Sequence, residues 1–234
     1  MPHALTSLDL VVFGVAVAVM ARTAIFSSGI GKKPRSERHL VRKYCVTTAS
    51  AALISALVLF AWQSSGRPFS ELGFDFPIGI PGMIGFGLDA ALVCFSAYRL
   101  LFKKQSAEDN AATQKRLDAL HIMPQTRTEL LLFPVMVLVA SPYEELLFRG
   151  FLIWFFANFA GLWGGVLLSS FLFGLGHAYQ GWRGILRTGA TGLAFGIAYA
   201  LTHSLWWLMV AHAVLNLYAA IVAAKLIRLS PTSA

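Results

Sequence analysis

Acidic side chains are scarce in this chain, with eleven Asp and Glu in 234 residues against nineteen Lys and Arg. Charged residues of either sign make up only 13% of it, about half the share of a soluble domain, while 57% is hydrophobic. That deficit excludes an ordinary soluble domain and describes a polytopic membrane protein. The resulting net charge of +8 does not indicate nucleic acid as a partner. The basic residues sit in short segments between apolar runs, the pattern of loops held on the cytoplasmic side of a lipid bilayer. Cysteine is almost missing too. Cys45 and Cys94 both fall inside apolar runs, which excludes a disulfide framework and leaves each thiol to pack as a small apolar group. Nothing basic precedes the first apolar run and the positive charge follows it, the reverse of a cleavable signal, so that run reads as a retained helix. No long polar stretch marks a soluble appendage and no internal repeat is visible. The whole of residues 1–234 therefore reads as a single integral membrane domain.

What is present in quantity is long apolar sequence. A segment of about 20 apolar residues crosses the hydrocarbon as a helix, and about seven such segments are expected: 8–27, 44–62, 80–101, 129–157, 162–179, 188–202 and 205–226. The fold class expected is an all-α transmembrane helix bundle. The polar connections are GKKPRSERHLVRK after the first helix, and KKQSAEDNAATQKRLDALHIMPQTR after the third, the latter with room for one short surface helix. Of the 19 Lys and Arg, all but Arg67 and Arg149 fall on one side of this arrangement. The asymmetry predicts an N-terminus outside and a C-terminus in the cytoplasm.

Against this background the stretch SPYEELLFRG, from Ser141 to Gly150, is anomalous. It sets Glu144, Glu145 and Arg149 between LLLFPVMVLVA and FLIWFFANFA. One central charge costs about 2.5 to 3.5 kcal/mol on insertion scales, so three cost roughly 8 to 10 before pairing, and such residues mark functional sites. Glu145 and Arg149 are four apart in the favourable order, which predicts a bracing ion pair on one helix face. Glu144 points about 100° away from Glu145 and needs a partner on another helix. A single structural ion cluster of all three is the alternative.

Intramembrane histidines supply the candidates. His177 ends FLFGLGH, with Phe173 one turn earlier on its face, and His212 begins HAVLN, so that His212 and Asn216 make a polar stripe on the last helix. Counting residues from turns near 159 and 203, at about 1.5 Å per residue, puts Glu144 and His177 within about 5 Å in height. The same count places Asn216 level with Glu144 and His212 about 9 Å outward of it. Glycines at 161 and 165, and at 192 and 196, have the small-xxx-small spacing of close helix packing and are read as packing alone. Trp206 and Trp207 read as interfacial anchors. Asp89 is expected to hydrogen-bond to a neighbouring helix, with a proton or substrate path as the alternative. His203 sits in a turn, and His3, His39 and His121 read as solvated. Arg183 and Arg187 are explained by positive-inside bias.

Taken together, EELLFR, FLFGLGH and HAVLN resemble the three motifs of the CPBP family of intramembrane proteases. That family includes the type II CAAX prenyl endopeptidases and bacterial homologues linked to bacteriocin handling. The likeness spans about residues 128 to 220, expected to be the catalytic core, and ELGFDFP, from Glu71 to Pro77, resembles a loop common in bacterial members. The resemblance implies peptide-bond hydrolysis by a glutamate-activated water, in a bacterial cytoplasmic membrane, on a membrane-associated peptide or protein. Residue by residue, Glu144 matches the catalytic glutamate and His177 the histidine that shares the water. His212 and Asn216 match the pair that stabilises the oxyanion, with Glu145, Arg149 and Phe173 in support. No cofactor is expected. Zinc held by the Glu and His residues is the rival, but HExxH spacing and thiolate ligands are missing, and Asn216 is a poor zinc ligand. From other classes, a proton-coupled transporter would use the same Glu, His and Asp as a relay, though it would favour a titratable group at 216, and a non-catalytic immunity or scaffold protein would need none of them.

Overall fold

A computed structural model describes residues 4–27, 37–76, 79–102, 106, 108, 111, 124 and 126–229, with no β-strand among them. In chain order the helices are α1 (Ser7–Ser27), α2 (Glu37–Ser64), α3 (Ile80–Leu101), α4 (Arg127–Glu145), α5 (Ile153–Gly176), α6 (Gly181–Thr202) and α7 (Trp206–Leu229). A π-helical segment, Leu146–Leu152, joins α4 to α5 without interruption, and short 3-10 turns lie at Phe69–Leu72 and Ala178–Gln180. The expected surface helix between α3 and α4, the basic residues Lys32, Lys33, Arg35, Lys103, Lys104, Lys115 and Arg116, Pro77 of the ELGFDFP segment, and His3 and His121 lie outside the described residues.

Four helical stretches among the described residues are long and apolar enough to cross a membrane, namely Arg38–Ser64, Ile80–Leu101, Arg127–Gly176 and Ala178–Thr202, and Trp206–Val222 is apolar but shorter. The protein is an integral membrane protein with an all-helical fold. The expected count of seven crossings differs from these four, partly because the stretch Arg127–Gly176 contains a reversal. Gly161 there has φ 69° and ψ 174°, a conformation that breaks a helix and that only glycine adopts freely. The two arms then run back along each other: the Ser169 hydroxyl donates to the Phe148 carbonyl at 2.6 Å. A Cβ on Gly165 would lie 2.5 Å from the Ile153 carbonyl oxygen, so this glycine allows the arms to touch. The sequence reading of Gly165 as a packing residue fits that contact. Gly161 instead acts through its backbone, since nothing lies within 4 Å of a Cβ placed there.

Helix boundaries depart from hydropathy where polar residues are good helix formers. Segment ERHLVRK belongs to α2, so that Arg38, Arg42 and Lys43 stand on a helix that the apolar pattern starts only at residue 44. α4 likewise starts at Arg127, because Thr126 and Glu129 form a reciprocal capping box.

The bundle has one basic end, marked by Lys43, Arg183 and Lys225, where the Lys225 ammonium meets the Leu100 carbonyl. At the opposite end Arg67 pairs with Asp9, and Trp206 donates to the Phe74 carbonyl at 2.9 Å. Trp207 is no interfacial anchor. It is 7% exposed, lies over Gly85 of α3, and donates to the Thr202 hydroxyl at 3.2 Å. Gly82, Gly85, Asp89 and Ser96 are the buried residues of α3. Both oxygens of Asp89 lack a hydrogen-bond partner among the described residues, contrary to the expected bond to a neighbouring helix. Cys45 and Cys94 are free and exposed rather than packed, because each falls on the outer face of its helix.

Candidate active site

The glutamates stand at the end of α4, immediately before the π-helical segment. Pro142, two residues earlier, cannot donate its share of the helical ladder, and π-segments occur often at functional sites. Glu145 is fully buried, and its Oε1 accepts from Arg149 Nη1 at 2.9 Å, as the spacing predicts. Arg149 is fixed on three further sides: Nη2 donates to the Gly192 carbonyl at 3.3 Å, and the guanidinium lies 4.6 Å from the Phe173 ring centroid and 5.2 Å from that of Phe195. A lysine would reproduce neither the fork nor the stacking.

His212, on α7, reaches both carboxylates. Its Nδ1 donates to Glu145 Oε1 at 2.6 Å, while Nε2 lies 3.5 Å from Glu144 Oε2. Glu145 is therefore shared between a guanidinium and an imidazole, and the simple division in which it serves Arg149 alone is incomplete. His212 is also level with the glutamates rather than about 9 Å outward of them. The residue count assumed a regular α-helix from Glu144 to the turn, whereas Leu146–Leu152 is π-helical and Gly161 breaks the helix. Asn216, one turn along α7, donates to the Ser141 hydroxyl at 3.2 Å.

The second histidine enters from the end of the α5 arm. With 15 residues, 162–176 spans about 22 Å, short of a hydrocarbon core of about 30 Å, so the arm ends inside the bilayer if its reversal lies at the headgroups. His177 caps that end with φ −102° and ψ 18°. Irregular backbone at such depth is tolerated where it is enclosed by protein or lines a wet cavity. Nδ1 of His177 lies 2.8 Å from the Phe173 carbonyl oxygen, which only accepts, so Nδ1 carries a proton and the neutral ring presents the Nε2 lone pair. Phe173 is the common neighbour: its ring centroid is 4.7 Å from that of His177, 6.2 Å from His212 and 5.0 Å from Phe148. Among the described residues no direct hydrogen bond links His177 to Glu144.

The structure thus brings Glu144, Glu145, Arg149, His212 and Phe173 into contact, joins His177 to them through Phe173, and anchors Asn216 on α4. Among the described residues no three His, Cys, Asp or Glu side chains are grouped to hold a metal ion. Residues 126–218 match the family model of the type II CAAX prenyl endopeptidases, Rce1-like. This part of the chain is similar to an Rce1-like domain. No curated protein and no solved structure matches the chain. The matched residues contain every residue of the site described above, and the family they resemble is one of CAAX-type proteases, which are hydrolases.

Two contributors were not read from sequence. Ser141 is wholly buried and holds Asn216; its position four residues before Glu145, on the same helix face, was the available signal. Gly192 had been read as packing only, yet its carbonyl accepts from Arg149, which no side-chain pattern reveals. Ser141→Ala is expected to free the Asn216 amide at a cost of about 1 kcal/mol. Turnover of a cleaved peptide should fall roughly fivefold with KM unchanged, and equal turnover would show that Asn216 needs no anchor.

Proposed function

We propose that the chain is an intramembrane endopeptidase that hydrolyses a peptide bond of a membrane-associated peptide or protein. The observation that carries this reading is the His212 imidazole between two carboxylates of unequal access: Glu145 is closed off, whereas the Glu144 side chain is 23% exposed. A partly exposed carboxylate beside an imidazole within a bundle is the arrangement a water-activating base requires.

In this reading Glu144 takes a proton from water, whose oxygen attacks the scissile carbonyl, and His177 accepts a hydrogen bond from the same water at Nε2. The proton held by Glu144 then passes to the departing amine. His212 Nε2 and the Asn216 amide face the developing oxyanion, for which donors typically supply a few kcal/mol each. Because Nδ1 of His212 already donates to Glu145, Nε2 donates as well only when the ring is an imidazolium. Glu145, Arg149 and Phe173 hold the acting groups in place.

Zinc does not fit this donor set. Glu145 Oε1 is occupied by Arg149 and His212, and the guanidinium is 2.9 Å away, a cation where a second cation would have to sit. A relay of protons would favour a titratable group at 216, where Asn216 stands. By positive-inside bias, the basic end of the bundle faces the cytoplasm.

The test is the purified full chain in lipid vesicles, presented with membrane-inserted peptides and, separately, with a proton gradient. Cleavage that persists under a strong chelator is expected. Activity lost on chelation and restored by zinc would overturn the metal-free mechanism, and proton flux without cleavage would replace the protease by a transporter.

A further inference from the structure

The candidate site lies wholly within residues 126–218, but the residues packed beside His177 toward the basic end do not all do so. Met20 of α1 packs 3.6 Å from a Cβ position on Gly176, beside His177. Lys43 of α2 extends over the ring of Tyr179, with Nζ 5.3 Å from its centroid, and that ring is 5.8 Å from the His177 ring. Gln180 Nε2 donates to the Tyr179 hydroxyl at 3.2 Å and so holds the ring that Lys43 covers. A half-buried ammonium therefore stands two ring contacts from His177, on an element outside residues 126–218.

Among the described residues its charge is unanswered: no carboxylate forms an ion pair with Lys43. A lysine serving only positive-inside bias would extend its stem toward the headgroups, as a loop residue would. Lys43 instead turns over an aromatic face beside the site, which gives a cation modest support and leaves its N–H donors free for an anion.

We propose that Lys43 selects substrate by holding a carboxylate of the peptide at the basic mouth of the site, so that the chain between that carboxylate and the scissile bond lies along Tyr179 and His177. This inference rests on the proteolytic reading above and adds to it the polarity of the substrate. The carboxylate comes either from a free C-terminus or from an acidic side chain, and both present the same two oxygens to the ammonium.

The experiment uses the full chain in phosphatidylcholine vesicles with a randomised peptide pool in two forms, free acid and C-terminal amide, each made with and without Asp and Glu. Products are read by mass spectrometry. For wild type, KM should be about tenfold lower for carboxylate-bearing peptides, a preference between that of an exposed and a buried charge pair. Lys43→Gln should erase the preference with kcat nearly unchanged, Lys43→Arg should retain most of it, and Glu144→Ala should cleave neither form. Loss of preference on amidation alone assigns the C-terminus, and loss on removal of Asp and Glu assigns a side chain. A preference equal in wild type and Lys43→Gln would overturn the proposal. So would a Lys43 effect that appears only with anionic phosphatidylglycerol vesicles, which would assign the ammonium to lipid. No cleavage of any pool by wild type would overturn the proteolytic reading itself.

Discussion

Glu144→Gln is expected to abolish peptide cleavage, with turnover down by about a thousandfold or more, while the protein still folds. Removing a general base typically costs 10²- to 10⁴-fold, and the amide is nearly isosteric but takes no proton. Folding should survive because Glu144 is partly exposed and its one ion pair among the described residues, to His212 Nε2, is long at 3.5 Å. The adjacent substitution provides the contrast. Glu145→Gln leaves Arg149 buried and short of its counter-ion, and breaking such a pair costs about 3–5 kcal/mol. Its loss of activity should therefore come with a lower melting temperature in detergent, whereas Glu144→Gln should melt as wild type does. Wild-type turnover in Glu144→Gln would remove the central role assigned to this carboxylate.

The parts of the site that were legible in sequence are those governed by helix periodicity. Glu145 and Arg149 are four apart and do pair, and His212 and Asn216 do form one polar face toward α4. The parts that were not legible depend on departures from a regular helix. A π-segment interrupts the regular helix right after Glu145, and no residue pattern announces a π-turn. Gly161 looked like Gly165 in spacing, yet one reverses the chain and the other lets two arms touch. Trp207 stands next to Trp206, yet the rotation of about 100° between them sends one indole outward and the other into the groove over Gly85. Asp9 and Arg67 were invisible as a pair because a separation of 58 residues carries no periodic signal.

That pair carries the second large expectation: Asp9→Ala should destabilise the fold severely, with little chemistry of its own at stake. Asp9 does two jobs. Its Oδ2 accepts from the Thr6 amide at 2.8 Å and the Thr6 hydroxyl at 2.9 Å, closing the first turn of α1. Both its oxygens also accept from Arg67 Nη2, at 2.7 and 2.9 Å. Arg67 lies over two indoles that touch each other, 4.4 Å from the Trp62 ring and 4.3 Å from the Trp154 ring, so three parts of the bundle meet on one guanidinium. With the side chains of Arg67 and Asp9 both at 0% exposure, removing the acid strands a charge that water cannot reach. The cost is about 3–5 kcal/mol for the stranded ion, with roughly 1 more for the lost cap. That is a large part of a total stability of about 5–15 kcal/mol. Thermal unfolding in detergent should show a marked drop for Asp9→Ala and for Arg67→Ala alone, but a much smaller one for the apolar double replacement Asp9→Leu with Arg67→Met, since exchanging a whole buried pair for hydrophobic volume is often nearly neutral. If Asp9→Ala melts with wild type, the guanidinium is answered by something other than this carboxylate, and α1 is held by its apolar face alone. If the double replacement instead melts as low as the single ones, the indole stacking rather than the ion pair is what binds α1 and α2 to the α5 arm.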